Sequence, residues 1–154
     1  MKPNKFYIAH GLYSRKKIHI IQTDLEKKYT LELVNPFYHS YRDEIAKLDA
    51  HGGRNERRFY RRMLNKFTIK TCMNIVEQDL AMIDKCDGVL AIINGHIVGT
   101  AMEIQYAKLT GKYIWVVAYK YHNHPWIRAY ADKLFPNIKS FETFLKRSGY
   151  LRAK

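Results

Sequence analysis

Residues 89–118 read VLAIINGHIVGTAMEIQYAKLTGKYIWVVA, and this stretch decides the fold class. It opens with a run of apolar residues, which is typical of a strand buried on both faces of a parallel sheet. A glycine-containing loop at 94–100 leads into a helix that we predict from Ala101 to Leu109, and Gly111 ends this helix. A second apolar strand is predicted at 113–118. A strand, a helix and a second strand in this order predict a βαβ unit.

The chain on both sides of this unit repeats the alternation of strand and helix. The other predicted elements are a strand at 5–9, a helix from Ser14, a strand at 31–34 closed by Asn35-Pro36, a helix at 69–85, a helix at 127–134, a short strand near Ile138 and a last helix from Ser140. Residues 37–66 break the alternation, and we interpret them as an irregular basic insert. We therefore predict an α/β fold, a flavodoxin-like or Rossmann-like open parallel sheet with helices on both faces, with residues 1–154 in a single domain.

The composition favours a globular protein that attracts anions. Hydrophobic residues make up 47% of the 154 residues, which is enough apolar surface for a core, and the formal net charge is +13. Such a charge excess attracts phosphates, but it is also the usual property of a solvated surface. Cys72 and Cys86 have no metal-ligand or disulfide pattern, and no segment resembles a signal sequence or a membrane span. We expect a cytoplasmic location, with no metal and no cofactor.

Polar residues follow the carboxyl ends of three predicted strands. These loops are His10 to Arg15, Asn35-Pro36 and Gly95 to Glu103. Because such ends meet at one edge of a parallel sheet, we expect the loops to converge. Glu103 is predicted in the first turn of its helix, where the helix dipole keeps a carboxylate ionised and available as a nucleophile. The alternative is that Glu103 only complements the dipole. Gly99 would let a ligand approach the backbone, and Thr100 would cap the helix or donate to a ligand oxygen.

A single carboxylate interrupts the apolar face of the helix at 69–85. Asp79 lies among Met73, Val76, Leu80 and Ile83, on or beside the face predicted to be buried. A carboxylate there either caps a neighbouring loop or faces a ligand, where it would hydrogen-bond a nucleobase or polarise it during departure.

Five segments resemble the nucleoside 2-deoxyribosyltransferase family, which includes deoxynucleoside 5′-monophosphate N-glycosidases. They are Tyr7 to Gly11 (YIAHG), Asp79-Leu80, Cys86 to Ala91 (CDGVLA), Gly99 to Ala107 (GTAMEIQYA) and Gly111-Lys112. The resemblance covers roughly residues 5–119. It implies a flavodoxin-like fold, sites formed in a homodimer or higher homo-oligomer, and a covalent glycosyl intermediate on Glu103. The chemistry parallels that of a retaining glycosidase and requires no metal.

The same resemblance implies a role for several individual residues. Tyr7 would hold the nucleophile by a hydrogen bond, and Asp79 would contact the base or the sugar. Ser14 and Arg15 correspond to the phosphate-binding positions of the monophosphate-cleaving branch. A contribution from a neighbouring subunit would fall near Trp126 to Arg128. The remaining expected substrate-binding residues are His10, Gly11, Gly99, Thr100 and Arg128.

One position departs from the family. Six residues before the nucleophile the nucleoside-specific branch carries Asp and the monophosphate branch carries Ser, whereas this chain has Ile97, with His96 beside it. We favour a monophosphate because residues 14–17, Ser-Arg-Lys-Lys, open the first helix, where N–H groups and cations favour a phosphate. The expected reaction is cleavage of the N-glycosidic bond of a (deoxy)nucleoside 5′-monophosphate with release of free base, and the alternative is base exchange by a 2-deoxyribosyltransferase.

Three other functions remain open from the sequence. The loop at 95–103 is similar to the motif of the cytokinin-activating phosphoribohydrolases, but its glycine spacing differs and the partner PR-x-x-D motif is absent. A non-catalytic nucleotide-binding protein is the second. The third is nucleic-acid binding through Arg54 to Lys66, where arginines flank Phe59 and Tyr60. This run is also typical of a solvated helix face, or of a lid over an anionic nucleotide.

Overall fold

The fold is built on a five-stranded parallel sheet. The computed structural model describes residues 2–39, 46, 49, 50, 55–95 and 97–152. The strands are β1 (Lys5–His10), β2 (Glu32–Val34), β3 (Gly88–Ile93), β4 (Tyr113–Ala118) and β5 (Lys133–Phe135). The helices are α1 (Arg15–Lys28), α2 (Pro36–His39), α3 (Glu56–Leu64), α4 (Ile69–Asp84), α5 (Val98–Leu109), α6 (Pro125–Tyr130) and α7 (Ile138–Arg147). A 3₁₀ turn at Leu12–Ser14 joins β1 to α1.

The strand order confirms the predicted fold class. The order is β2-β1-β3-β4-β5, and every pair of neighbours is parallel. This order is that of the flavodoxin-like open sheet. The chain runs outward to β2 on one side of β1 and to β3 on the other, so the carboxyl ends of β1 and β3 form the switch point where such sheets bind ligands.

Helices cover both faces of the sheet, because successive strand residues point to opposite sides. On one face α1 and α7 bury Ile18, Leu25, Phe141 and Leu145 against strand residues that include Phe6, Leu90 and Trp115. On the other face α4, α5 and α6 bury Ile83, Ile104, Ala107 and Ile127 against strand residues that include Tyr7, Val89 and Val116. Each strand of the central three therefore contributes to two cores.

The start of β3 is fixed by two adjacent residues. The carboxylate of Asp87 accepts hydrogen bonds from the backbone N–H groups of Asn4 and Lys5, which also lower its pKa. A Cβ atom at Gly88 would lie 2.4 Å from the carbonyl oxygen of Tyr113, so no larger residue fits there without a backbone shift. These contacts set the level at which β3 begins between its two neighbours.

Several predicted boundaries were wrong. Helix α5 begins at Val98 rather than Ala101, and α6 spans Pro125–Tyr130 rather than 127–134. The strand predicted near Ile138 lies at Lys133–Phe135, and Ile138 is the first residue of α7. Part of the insert that was expected to be irregular forms the helix α3.

The face of α4 that was predicted to be buried is only partly so. Ile83 is buried, but the side chains of Met73 and Val76 are 55% and 54% exposed. None of the helices among the described residues is both long and apolar enough to cross a membrane.

Candidate active site

A cavity of about 990 Å³ opens at the carboxyl ends of β1 and β3. The loops after these two strands form its floor, and α2, α3, α4 and the start of α5 provide lining residues. The volume is at the upper end of the range for small-molecule sites. The cavity therefore lies where the strand order of an open α/β sheet places a ligand.

The central polar contact of the cavity joins β1 to α5. The hydroxyl of Tyr7 donates a hydrogen bond to Glu103 Oε1 over 2.6 Å. Tyr7 is fully buried in β1, and Glu103 is half-buried and lines the cavity. Because the phenol is held by the core of the sheet, its hydrogen bond fixes one carboxylate oxygen of Glu103.

The environment of Glu103 differs from the one predicted. Glu103 lies in the second turn of α5, and the first turn contains no acidic residue, so the helix N-terminus does not act on it as expected. Burial raises the pKa of Glu103 to about 7, the hydrogen bond from Tyr7 opposes this, and the charge of Asp79 adds to it. The pKa of Glu103 therefore lies close to neutral pH, where both its ionised and its protonated forms are populated.

Asp79 lies on the helix packed beside α5 and is half-buried. It lines the same cavity as Glu103, and its charge acts on Glu103. The structure thus places two carboxylates in one cavity, where they repel each other. The polar residues Thr71, Asn74 and Gln78, which precede Asp79 in α4, also line the cavity. Their spacing of three and four residues is the sequence signal that would have identified this helix face.

His10 and Gly11 lie at the floor of the cavity. The His10 ring is buried against Phe37, with Nδ1 3.1 Å from the carbonyl oxygen of Gly11 and Nε2 3.3 Å from Asn35 Oδ1. Burial lowers the pKa of His10, and these two contacts oppose the change. A neutral imidazole donates to one oxygen at a time, so the ring is held between two acceptors.

Gly99 and Thr100 both line the cavity, and the predicted role of Thr100 as the helix cap is wrong. Thr100 is the third residue of α5 and is buried, and the N-cap position belongs to Ile97, which makes no side-chain cap bond. Gly99 faces open space, since a Cβ atom built there would meet nothing within 4 Å.

Arg15 was expected to bind a phosphate, but it does not line the cavity. Its side chain is 1% exposed and forms ion pairs with Asp49, at 2.5 Å, and with Glu56 at the start of α3. Lys16 also pairs with Asp49, at 3.2 Å. Ser14, by contrast, lies in the cavity wall. Of the cationic segment at 15–17, no side chain lines the cavity in this structure.

Helix α3 supplies cavity residues that sequence reasoning did not assign to the site. Arg57, Tyr60, Met63 and Leu64 line the cavity, whereas Arg58, Arg61 and Arg62 do not; all four of these arginines are exposed to solvent. The ring of Tyr60 meets that of Tyr13 edge to face with centroids 6.1 Å apart, and the guanidinium of Arg57 lies 5.1 Å from the centroid of Tyr13. The basic aromatic run was identified from the sequence, but its periodicity does not show which face meets the cavity.

The other predicted residues lie away from this cavity or outside the described part. Arg128 is exposed on α6, next to Trp126, which is 63% exposed. Ile97 packs against the core on the α5 side of the sheet. His96 and Arg54 are outside the described residues.

In the described residues, no group of three or more His, Cys, Asp or Glu side chains is arranged to hold a metal ion. Comparison with protein-family models gives no match, and comparison with curated proteins gives none either.

Proposed function

We propose that this protein cleaves the N-glycosidic bond of a (deoxy)nucleoside 5′-monophosphate through a covalent glycosyl intermediate on Glu103 and releases the free base. The observation that carries the proposal is the hydrogen bond from Tyr7 to Glu103, inside a cavity that also contains Asp79. It leaves the second carboxylate oxygen of Glu103 as the attacking atom.

The reaction proceeds in two displacements at the anomeric carbon. Ionised Glu103 attacks C1′ as the bond from C1′ to the base nitrogen breaks, and the bonding electrons leave with the base. Asp79 contacts the departing base or the sugar. Water then attacks C1′, breaks the bond to Glu103 and yields the sugar phosphate. The proton released by this water balances the one taken up by the base, so the net reaction is hydrolysis.

The raised pKa of Glu103 suits this chemistry. A carboxylate that is poorly solvated is a stronger nucleophile and is stabilised when positive charge develops on the sugar in the oxocarbenium-like transition state. Asp79 adds negative charge on the same side of the sugar. Tyr7 limits the cost of ionising Glu103, since its hydrogen bond lowers the pKa that burial raises.

We propose a homo-oligomer as the active form. Exposed apolar side chains lie along α4, at Ile69, Met73 and Val76, and along α5, at Val98, Met102 and Leu109. The two helices are in contact, so together they present a broad apolar surface, which in a soluble protein is typical of an interface. Trp126 and Arg128 are exposed on α6, which contacts α5. A second copy of the protein would bury these residues.

We also propose a cytoplasmic location. The two free cysteines agree with a reducing compartment.

The test is incubation of the purified protein with nucleosides and their 5′-monophosphates, in ribo and deoxy forms, with free base followed by chromatography. Release of base from a monophosphate, lost in Glu103→Gln and retained in the exposed-site control Glu77→Gln, supports the proposal. Release only when a second base is supplied identifies a base-exchanging transferase, which uses the same intermediate. A protein that cleaves nothing but is stabilised by nucleotides is a binding protein, and the proposal is then wrong.

A further inference from the structure

Helix α3 forms one wall of the cavity, yet the glycosidic reaction uses none of its residues. Its Tyr60, Met63 and Leu64 provide apolar and aromatic lining, and Arg57 is its charged lining residue. A cation in the wall of a cavity that also holds Glu103 and Asp79 needs an explanation of its own.

The position of α3 is fixed by the core of the protein rather than by solvent-exposed contacts alone. Arg15, buried in α1, pairs with Glu56 in the first turn of α3 and with Asp49 before it. The edge-to-face contact of Tyr60 with Tyr13 ties the next turn to the loop after β1. The wall is therefore anchored at two points, and Arg57 lies between them.

The charges of the cavity are separated by element. The carboxylates in its wall, Asp79 and Glu103, come from the adjacent helices α4 and α5. The Lys and Arg side chains that line it are, within the described residues, Arg57 from α3 and Lys120 from the loop after β4. A ligand that satisfies both sets carries an anionic group as well as a group on which positive charge develops.

Arg57 is also arranged as an anion ligand. Its guanidinium lies 5.1 Å from the centroid of Tyr13, and the next residue, Ser14, lines the cavity as well. A guanidinium above a ring makes this contact without using its N–H donors, and guanidinium groups bind phosphate oxygens in a bidentate manner. The hydroxyl of Ser14 supplies a further donor of the kind that phosphates accept.

We propose that Arg57, assisted by Lys120 and Ser14, binds the 5′-phosphate of the substrate, and that α3 is the element that makes this site select nucleotides over nucleosides. The inference rests on the proposed function for the identity of the ligand. Arg15 acts through α3 as a positioning residue and does not touch the phosphate.

The experiment measures binding by calorimetry in the Glu103→Gln background, where the substrate stays intact. The ligands are matched pairs of deoxynucleosides and their 5′-monophosphates. Loss of a charged hydrogen-bonding partner should weaken monophosphate binding by roughly tenfold to hundredfold in Arg57→Ala, and nucleoside binding by less than about twofold. Arg57→Lys should retain part of the preference. Arg58→Ala, an exposed neighbour on the same helix, should bind both ligands as the parent does.

Two results would overturn the inference. Equal losses for nucleoside and monophosphate in Arg57→Ala would mean that Arg57 only packs on Tyr13, and no loss relative to Arg58→Ala would remove it from the site. If Arg57→Ala melts much lower than the parent, Arg57→Gln, which keeps most of the side-chain volume, replaces it. Inorganic phosphate provides a second readout, since it should raise the Tm of the wild type but not of Arg57→Ala or Arg57→Gln.

The failures of the two proposals are distinguishable. If the wild type cleaves monophosphates but Arg57→Ala and Arg58→Ala bind alike, the proposed reaction stands and the proposed phosphate site is wrong. If the wild type binds monophosphates through Arg57 but cleaves none, the proposed phosphate site stands and the proposed reaction is wrong. A wild type that binds neither mononucleotides nor phosphate overturns the phosphate site directly.

Discussion

Replacing Glu103 with Gln should stabilise the protein at high pH and much less at low pH. Burial raises the pKa of Glu103 from 4.5 to about 7. An acid with a raised pKa holds its proton more tightly in the folded state, so its contribution to stability is complete below the unfolded pKa and is lost as pH rises through the folded pKa. Gln does not ionise, and its amide oxygen still accepts the hydrogen bond from Tyr7, so the variant avoids this loss.

The magnitude follows from the two pKa values. The change from 4.5 to about 7 corresponds to about 3 kcal/mol of unfolding free energy, and because Glu103 is half-buried, solvent screening makes this an upper limit. Of this, roughly 2.5 kcal/mol is lost between pH 5 and pH 8.5, since part of the loss is complete by pH 5. For a chain of this size the advantage of the variant in Tm should grow by roughly 5–10 °C over the same interval.

The assay is scanning calorimetry of the wild type, Glu103→Gln and Glu77→Gln from pH 5 to pH 8.5. Glu77 is exposed on α4, so its variant removes the same kind of charge without the burial, and its Tm should follow the wild type at every pH. A Glu103→Gln curve that runs parallel to the wild type would refute the reasoning, because it would show that Glu103 ionises in the folded protein as freely as in the unfolded chain.

Five further variants test the site and its scaffold. Tyr7→Phe should move the rise of kcat/KM to higher pH, because the variant lacks the hydrogen bond that lowers the pKa of Glu103. Asp79→Asn should move the rise to lower pH, because it removes a like charge that raises this pKa. The pH profiles of base release check both. Gly88→Ala should lower the free energy of unfolding in urea by more than about 2 kcal/mol, whereas Gly99→Ala, in open space on a helix, should leave it equal or higher. Arg15→Met should cost about 1–2 kcal/mol in the same assay, because Glu56 loses its partner while Asp49, which is exposed, keeps Lys16. An unchanged midpoint would show that these ion pairs do not hold α3.

The sequence predicted the sheet better than the helix boundaries, for a physical reason. Strands β3 and β4 are apolar along almost their whole length because both faces are covered, and this pattern needs no tertiary information. The start of α5 carries no comparable signal. Its N-cap is Ile97, which makes no capping hydrogen bond, and Gly99 is a weak helix former in its first turn.

The residues of the candidate site also differ in how well the sequence predicted them. Asp79 was identified because a carboxylate stands out on an apolar helix face. Glu103 was identified from its predicted place at the start of a helix that follows a strand and a glycine-containing loop, and from family resemblance. Tyr7 is one residue of an apolar strand, and its role came from family resemblance. The surroundings of Arg15 could not be predicted, because its partners Asp49 and Glu56 lie 34 and 41 residues further along the chain. The residue predicted to bind a phosphate is therefore one that forms ion pairs with two carboxylates.

Helix α3 contributes to the site through the pairing of its segment with Arg15. Arg15 is neutralised by two carboxylates, so the cation nearest to the expected phosphate position in sequence is already paired. Those carboxylates belong to the segment that carries Arg57, and pairing them with Arg15 brings Arg57 to the cavity wall. The insert thus pairs Arg15 with its own carboxylates and places Arg57 in the cavity wall. Removal of Arg15 should therefore lower the selectivity for phosphate only as far as it displaces α3. Removal of Arg57 should lower this selectivity in a protein that is still fully folded.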